Sequence, residues 1–409
     1  MSLEAALENA NASVRDLVES IGAEGRVDVA SISSGALAWT ISEAAKAHPE
    51  QRFVVVAPNL DEAYRHESNL RFLLGAANGE VLLYAAADTS PLVDVVPDRR
   101  SEMQRMAVLD RMAERLPWRV LIIPAAALVR RVPPRAHVES GILTIALGER
   151  IERDAFVRRL SELGYLRVPL VEDRGTLSAR GALIDIYPPD ASLPVRIELD
   201  DDEVVRIRRF NPDDQKTAGE VLDVRLGPSR EVPDSPAAIA RAKLSVRELC
   251  DEMNMPTMQA RELIDELDRG SGALTANALL PAYFEGLDTL FDYFPEDARL
   301  VLVDPIAIAE AIRSERVHAR DEHSARAGRP TFELASYYMD EDETVARLLT
   351  HPSVVVHRLA VHGATSEEEG PIAAAYAPEL DTLLRVNASD QGALVSALRA
   401  RKGHGDRGL

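Results

Sequence analysis

Four short runs, Phe53–Ala57 (FVVVA), Val81–Ala85 (VLLYA), Val120–Pro124 (VLIIP) and Arg299–Val303 (RLVLV), are almost wholly apolar. A strand with no polar phase must be covered on both faces, as in a parallel sheet flanked by helices. Helical patterns lie between the first three runs, at Gly35–His48, Asp61–Leu74 and Arg100–Leu116. This alternation predicts a doubly wound α/β sheet. Arg299–Val303, far along the chain, is read as the strand that returns to complete it.

The pattern changes after the proline-rich Arg131–Pro134 (RVPP). A strand at Ile142–Ala146 and a helix at Asp154–Leu163 precede three strand-like runs, Ala182–Tyr187, Val195–Leu199 and Val204–Arg209. The last two, joined by the acidic turn Asp200–Asp202, read as an antiparallel hairpin. Helices are expected at Pro236–Glu252 and, beyond the break at Pro256, at Thr257–Asp268. A weak strand at Val354–Leu359, a polar loop at His362–Glu369 and a helical run at Asp390–Arg401 close the chain. The expected fold is therefore α/β. Residues 1–136 form a parallel-sheet domain and 137–226 an inserted α+β domain. Residues 227–315 complete the first sheet, and 316–409 form a small C-terminal α/β segment. The ending RKGHGDRGL has no obvious closing element, as expected of a piece of a longer protein.

A length of 409 residues implies two to four domains. The net charge of −20, from 67 acids against 47 Lys and Arg, argues against wrapping nucleic acid over a broad surface. Glu149–Arg180 is a local exception, near neutral with Arg150, Arg153, Arg158, Arg159, Arg167, Arg174 and Arg180. Either these arginines share a face, or residues 149–163 are a solvated helix laced with charge pairs. The single Cys250 leaves no intrachain disulfide and no cysteine zinc site. No run approaches the ~20 apolar residues of a membrane span, and the N-terminus lacks the basic start and apolar core of a secretion signal. A cytoplasmic location is the expectation. No HExxH, GxSxG or GxGxxG occurs; His318 and His323 lie in a charged stretch and read as solvated. No cofactor is expected.

The segment from Gly164 to Thr217 carries Gly164–Tyr165, Arg180–Gly181, Ile184–Asp185–Ile186–Tyr187–Pro188–Pro189 and Arg208–Arg209–Phe210–Asn211–Pro212 in that order. This order resembles domain 2 of the UvrB-like module of bacterial transcription-repair coupling factors, the segment by which that family engages UvrA. Asp88–Asp98 (DTSPLVDVVPD), Pro281–Glu296 (PAYFEGLDTLFDYFPE) and Leu300–Pro305 (LVLVDP) resemble the family's first domain. The resemblance implies domain 1a at 1–136, domain 2 at 137–226, domain 1b at 227–315 and part of domain 3 at 316–409. It implies a UvrA-recruiting module in transcription-coupled nucleotide excision repair. The full-length family is an ATP-dependent DNA translocase, and it reaches RNA polymerase and double-stranded DNA through domains for which this chain has no room.

The resemblance further implies a P-loop scaffold that has lost nucleotide hydrolysis. In a working loop, backbone N–H groups cradle phosphate, a lysine reaches the outer phosphates and a Ser/Thr holds magnesium. The corresponding Ser33, Ser34, Gly35, Ala36 and Leu37 put alanine at the lysine position and leucine at the Ser/Thr position. Asp304 is followed by Pro305 where UvrB has glutamate. Ser33–Ser34–Gly35 also reads simply as a helix N-cap. UvrB's aromatic hairpin has no counterpart, with Trp39 and Trp118 the only tryptophans. In domain 2, Arg167 and Arg180 occupy two of the family's three UvrA-contacting arginine positions, Ser178 replaces the third, and Tyr187 stands at its aromatic position. Tyr187 is either at the rim of the docking face or a core aromatic beneath it. Arg180 is either free for a partner or in a salt bridge to Glu172 or Asp185. Two other readings compete: a divergent UvrB- or helicase-related enzyme that still binds ATP, and a structural α/β fragment.

Overall fold

A computed structural model describes residues 18–19, 25–30, 32–75, 80–87, 89–93, 95, 97–114, 116–268 and 278–358. The chain runs β1 (Arg26–Ala30), α1 (Ser34–Ala47), β2 (Phe53–Ala57), α2 (Leu60–Leu74), β3 (Val81–Leu83), α3 (Arg99–Ala113) and β4 (Val120–Pro124). Two short helices, α4 (Ala125–Leu128) and α5 (Arg135–Ser140), lead to β5 (Leu143–Ala146), α6 (Arg153–Glu162) and β6 (Leu166–Arg167). Then come β7 (Thr176–Arg180), β8 (Leu183–Tyr187), β9 (Val195–Asp200), β10 (Glu203–Phe210), β11 (Thr217–Glu220) and β12 (Asp223–Leu226). The remainder is α7 (Pro236–Glu252), α8 (Thr257–Asp268), β13 (Arg299–Val303), α9 (Pro305–Ala325), α10 (Glu341–Leu349) and β14 (Ser353–His357).

The first sheet is all parallel, in the order β1-β14-β13-β2-β4-β3. Its central strands are almost wholly apolar because both faces are buried. Val54, Leu121 and Leu300 pack with Met106 and Leu109 of α3 and Ile308 and Ile312 of α9. Val55, Ile122, Val301 and Val354 pack on the other side with Leu37 and Ile41 of α1 and Leu70 of α2. Helix starts follow local chemistry. Asn59 caps α2 by accepting from Glu62 N, and Asp98 caps α3 by accepting from Ser101 N, so α3 begins at Arg99. The run at Val81 stops as a strand at Leu83, although Tyr84 N still donates to Ile122 O.

Two features depart from the expected division at residue 316. Helix α9 runs unbroken across that position, and β14 inserts between β1 and β13. The reason is burial: Val354, Val355 and Val356 lose nearly all contact with solvent only in the interior of the sheet. The stretch 316–358 is therefore part of the first sheet's architecture. The loop at His362–Glu369 and the helix at Asp390–Arg401 lie outside the described residues.

The second sheet has the order β11-β10-β9-β8-β7-β6, antiparallel except for the β6–β7 pair. One face carries the core: Ile184, Ile186, Val195, Ile197 and Ile207 pack with Phe156, Val157 and Leu160 of α6. The other face is polar, so period-2 alternation appears here and not in the first sheet. The β9–β10 hairpin turns at Asp201, which takes φ 51°. Strands β5 and β12 form a separate antiparallel pair that joins this lobe to the first. Among the described residues no helix is long and apolar enough to cross a membrane.

Candidate docking face

The polar face of the second sheet is ordered in rows by strand register. Ser178 pairs with Asp185, Asp185 with Arg196 and Arg196 with Arg208, across β7 to β10. The next row is Arg180, Leu183, Glu198 and Arg206. Asp185 is buried and central. Arg196 grips it with both arms, Nε to Oδ1 at 2.6 Å and Nη2 to Oδ2 at 2.9 Å. The Arg196 guanidinium also lies 4.7 Å over the Phe210 ring. Its hydrogen bonds to Asp185 raise the guanidinium above its ordinary value, against the effect of burial.

Arg180 is 57% exposed and makes one contact to Asp185 Oδ2, at 3.4 Å. Of the two partners expected for it, the structure selects Asp185. Arg167 is exposed on the edge strand β6. Its register partner is Leu177, on the core face, whereas Arg180 is in phase with Ser178 on the polar face. Arg167 and Arg180 are thus both at the surface but on opposite faces of the sheet, and a partner touching both must wrap the β6 edge. Tyr187 is 8% exposed, packed with Val171 and Phe210, and its hydroxyl donates to Ser192 O at 3.0 Å. Arg174 lies 5.8 Å over its ring, so Tyr187 sits beneath the face and Arg174 lies above it. Ser178 is buried and donates to Pro169 O at 3.1 Å. Arg174 was read only as one of the arginines of the near-neutral stretch, and Arg196 was not singled out in the sequence. The polar phase of β9 (VRIELD) would have placed Arg196 beside Asp185 once the hairpin register was drawn.

At the start of α1, Ser33 Oγ accepts from Ala36 N at 3.3 Å, so the helix caps itself. Leu37 is buried in the core between α1 and the sheet, and Ala36 is buried against Ile32 and Trp39. Both Ala36 and Leu37 thus face apolar packing. Asp304, at φ 60°, ends β13 and caps α9, its Oδ1 accepting from Ala307 N at 3.2 Å, while Arg358 stands 3.8 Å from Oδ2.

A second group of residues builds the seam between the lobes, along α3. Arg225 of β12 holds Asp110 through Nη1 and Nη2 at 2.6 and 2.5 Å, and reaches Glu114 through Nε at 2.5 Å. Burial pushes the Asp110 carboxyl up to about 6, against the downward pull of Arg225. Burial opposes the charge on Arg225, but its bonds to Asp110 and Glu114 prevail and raise the guanidinium. One turn earlier, Arg105 Nε donates to Glu231 Oε1 at 2.7 Å, both side chains buried. Burial would lift Glu231, yet Arg105 and Arg130 hold it below its ordinary value. Its neighbour Glu102 is pushed up by burial and by the Glu231 charge. Arg99 donates to Gly164 O and Gly175 O at 3.2 and 2.6 Å. The Gly164–Tyr165 motif belongs to this seam. Tyr165 OH donates to Gly227 O at 3.0 Å. Gly164 takes φ +95°, with Arg230 Cγ only 2.5 Å from where a Cβ would stand.

Residues 143–231 match the family described as UvrB interaction domain. A transcription-repair-coupling factor of Myxococcus xanthus is 34% identical over 262 residues, covering 62% of this chain and 22% of that protein. The Escherichia coli transcription-repair-coupling factor is 28% identical over 330 residues, covering 79% of this chain and 28% of that protein. UvrABC system protein B of Acinetobacter baylyi is 28% identical over 236 residues, covering 53% of this chain and 35% of that protein. The chain thus spans well under a third of the coupling factors it matches. By sequence, residues 143–231 are similar to the UvrB interaction domain, and the chain is similar to part of transcription-repair coupling factors and of UvrABC system protein B.

Proposed function

We propose that this chain recruits UvrA in transcription-coupled nucleotide excision repair, docking through the second lobe. The observation that carries the reading is Arg180, more than half exposed on the polar face of the region matched as a UvrB interaction domain. A planar guanidinium that has only a loose partner in its own chain is suited to bidentate capture of a partner's carboxylate. Arg167, around the β6 edge, extends the contact, and Tyr187 supports it from beneath. Ser178, buried under Pro169, acts as a packing residue at the position where the resemblance implies a third arginine.

The same reading takes residues 1–136 and 227–358 as one parallel-sheet unit, with 137–226 inserted as the docking lobe. It makes this part of the protein non-catalytic, because the α1 loop is self-capped and its Ala36 and Leu37 face the core. It puts contacts to RNA polymerase and duplex DNA outside these 409 residues, and the whole in the cytoplasm.

The test is surface-immobilised binding of the cognate UvrA to the parent chain and to Arg167→Ala and Arg180→Ala, with thermal melting of each. Truncating a paired interface arginine commonly costs ~2 kcal/mol, so each folded variant is expected to bind about 30-fold more weakly. Parent-like binding by both folded variants would refute the assignment of these residues. Failure of the parent to bind would refute UvrA recruitment itself.

A further inference from the structure

Asp185 is shared by two arginines that hold it unequally. Arg196 closes on both carboxylate oxygens at 2.6 and 2.9 Å, is 20% exposed and is stacked on Phe210. Arg180 reaches the same Oδ2 at 3.4 Å through one nitrogen and is 57% exposed. The Arg196 Nη2 is steadied by Gln215 Oε1 at 3.3 Å, and Gln215 is fixed in turn by donating to Val171 O and Pro212 O. The neighbouring Arg206 and Arg208 are turned toward Glu198, and Arg206 also toward Glu220.

A buried carboxylate that loses its only cationic partner is strongly destabilised. If Arg180 were the sole partner of Asp185, drawing it out to a ligand would strand that charge. With Arg196 in place, Asp185 stays paired by a two-bond contact whether or not Arg180 remains. We infer that Arg196 is a positioning residue for UvrA docking: by saturating Asp185 it leaves Arg180 free to exchange its intrachain contact for a carboxylate on UvrA. This rests on the docking role proposed above and adds a residue through which that role is set. Arg196 itself, stacked and largely buried, does not touch the partner. Without it, Asp185 draws Arg180 down onto the sheet and the docking arginine is withdrawn.

Five variants test this: Arg180→Ala, Arg196→Met, Asp185→Asn and the double variants Arg180→Ala/Arg196→Met and Asp185→Asn/Arg196→Met, each with melting and UvrA binding measured. Methionine keeps an unbranched side chain over Phe210 while removing the charge. Arg196→Met is expected to weaken UvrA binding by about the same factor as Arg180→Ala, of order 30-fold. Adding Arg180→Ala to it should cause no further loss, because both act through one contact. Asp185→Asn alone is expected to bind at least as tightly as the parent. Asp185→Asn/Arg196→Met should regain binding to within about threefold of the parent, since a neutral amide no longer captures Arg180. A purely structural role for Arg196 would not be rescued by removing a second polar partner. Parent-like binding by folded Arg196→Met, or no rescue by the added Asp185→Asn, overturns the inference while leaving Arg180 as a contact. Loss of binding in Asp185→Asn alone would mean that Asp185 holds Arg180 in its binding pose, which also overturns it. A parent chain that does not bind UvrA removes the docking role and this inference together.

Discussion

Replacing Arg225 by methionine should make the stability of the protein strongly pH-dependent. Arg225 is the group whose hydrogen bonds and charge oppose the burial of Asp110, whose carboxyl is 3% exposed. In the parent the folded-state value of Asp110 is about 6, raised from 3.8. A raised carboxyl binds its proton more tightly in the folded state, so stability falls as pH climbs through the interval between the two values. At about 1.36 kcal/mol per unit, the parent loses roughly 1.4 kcal/mol through this group between pH 5 and pH 8. Without Arg225, burial acts unopposed and Asp110 must enter the folded state protonated. The cost then follows the distance of the pH from the ordinary carboxyl value, about 1.6 kcal/mol at pH 5 and about 5.7 kcal/mol at pH 8, or roughly 4 kcal/mol across the range. Relative to the parent, the variant should be destabilised by about 3 kcal/mol at pH 8 and by little through this term at pH 5. For a lobe of this size that is a melting temperature about 6–12 °C lower at pH 8, measured by circular dichroism, and a much smaller drop at pH 5. Adding Asp110→Asn should recover most of the pH 8 loss. An equal drop at both pH values would refute the reasoning, since lost packing by Arg225, and not an unpaired buried carboxylate, would then be the cause.

Isothermal titration with ATP and magnesium is expected to give no binding heat, because Ser33 already caps α1 and Ala36 and Leu37 face apolar packing. Micromolar affinity would show that the loop can open and would favour the ATP-binding alternative. Ser178→Arg is expected to lower the melting transition by about 1–3 kcal/mol in stability without tightening UvrA binding, since the site lies under Pro169. Tighter binding by a folded Ser178→Arg protein would mean that the Pro169 strap yields and that the third arginine position is part of the docking face.

Residue 180 shows what the chain's own pattern could and could not reveal. The sequence left Glu172 and Asp185 open as its partners; the pairing of β7 with β8, which sets Arg180 opposite Leu183 and one row from Asp185, decides for Asp185. Whether Arg167 shares its face could not be read from the sequence either. A strand of two residues has too short an alternation to fix a phase, and its register on β7 is set by the seam glycines and by Arg99. The same holds for Tyr187. An aromatic in an alternating strand is assigned a face by its neighbours, but its depth depends on Val171 and Arg174 arriving from a separate loop.

Composition and periodicity determined the types of the elements read from them, the two-sided burial of the first sheet and the starts of those helices, because these depend on contacts within a turn or a strand; β1, β7, β11, β12 and α10 carry too weak a pattern and were not read. Tertiary structure alone decided the rest. The insertion of β14 between β1 and β13 joins segments more than three hundred residues apart, and an apolar strand carries no mark of which parallel neighbour it will choose. The Arg225–Asp110 and Arg105–Glu231 pairs bring together charges that look solvated when read along the chain. Their burial, and the shifted titration of Asp110 that follows from it, exist only once two lobes have excluded water from the face of α3.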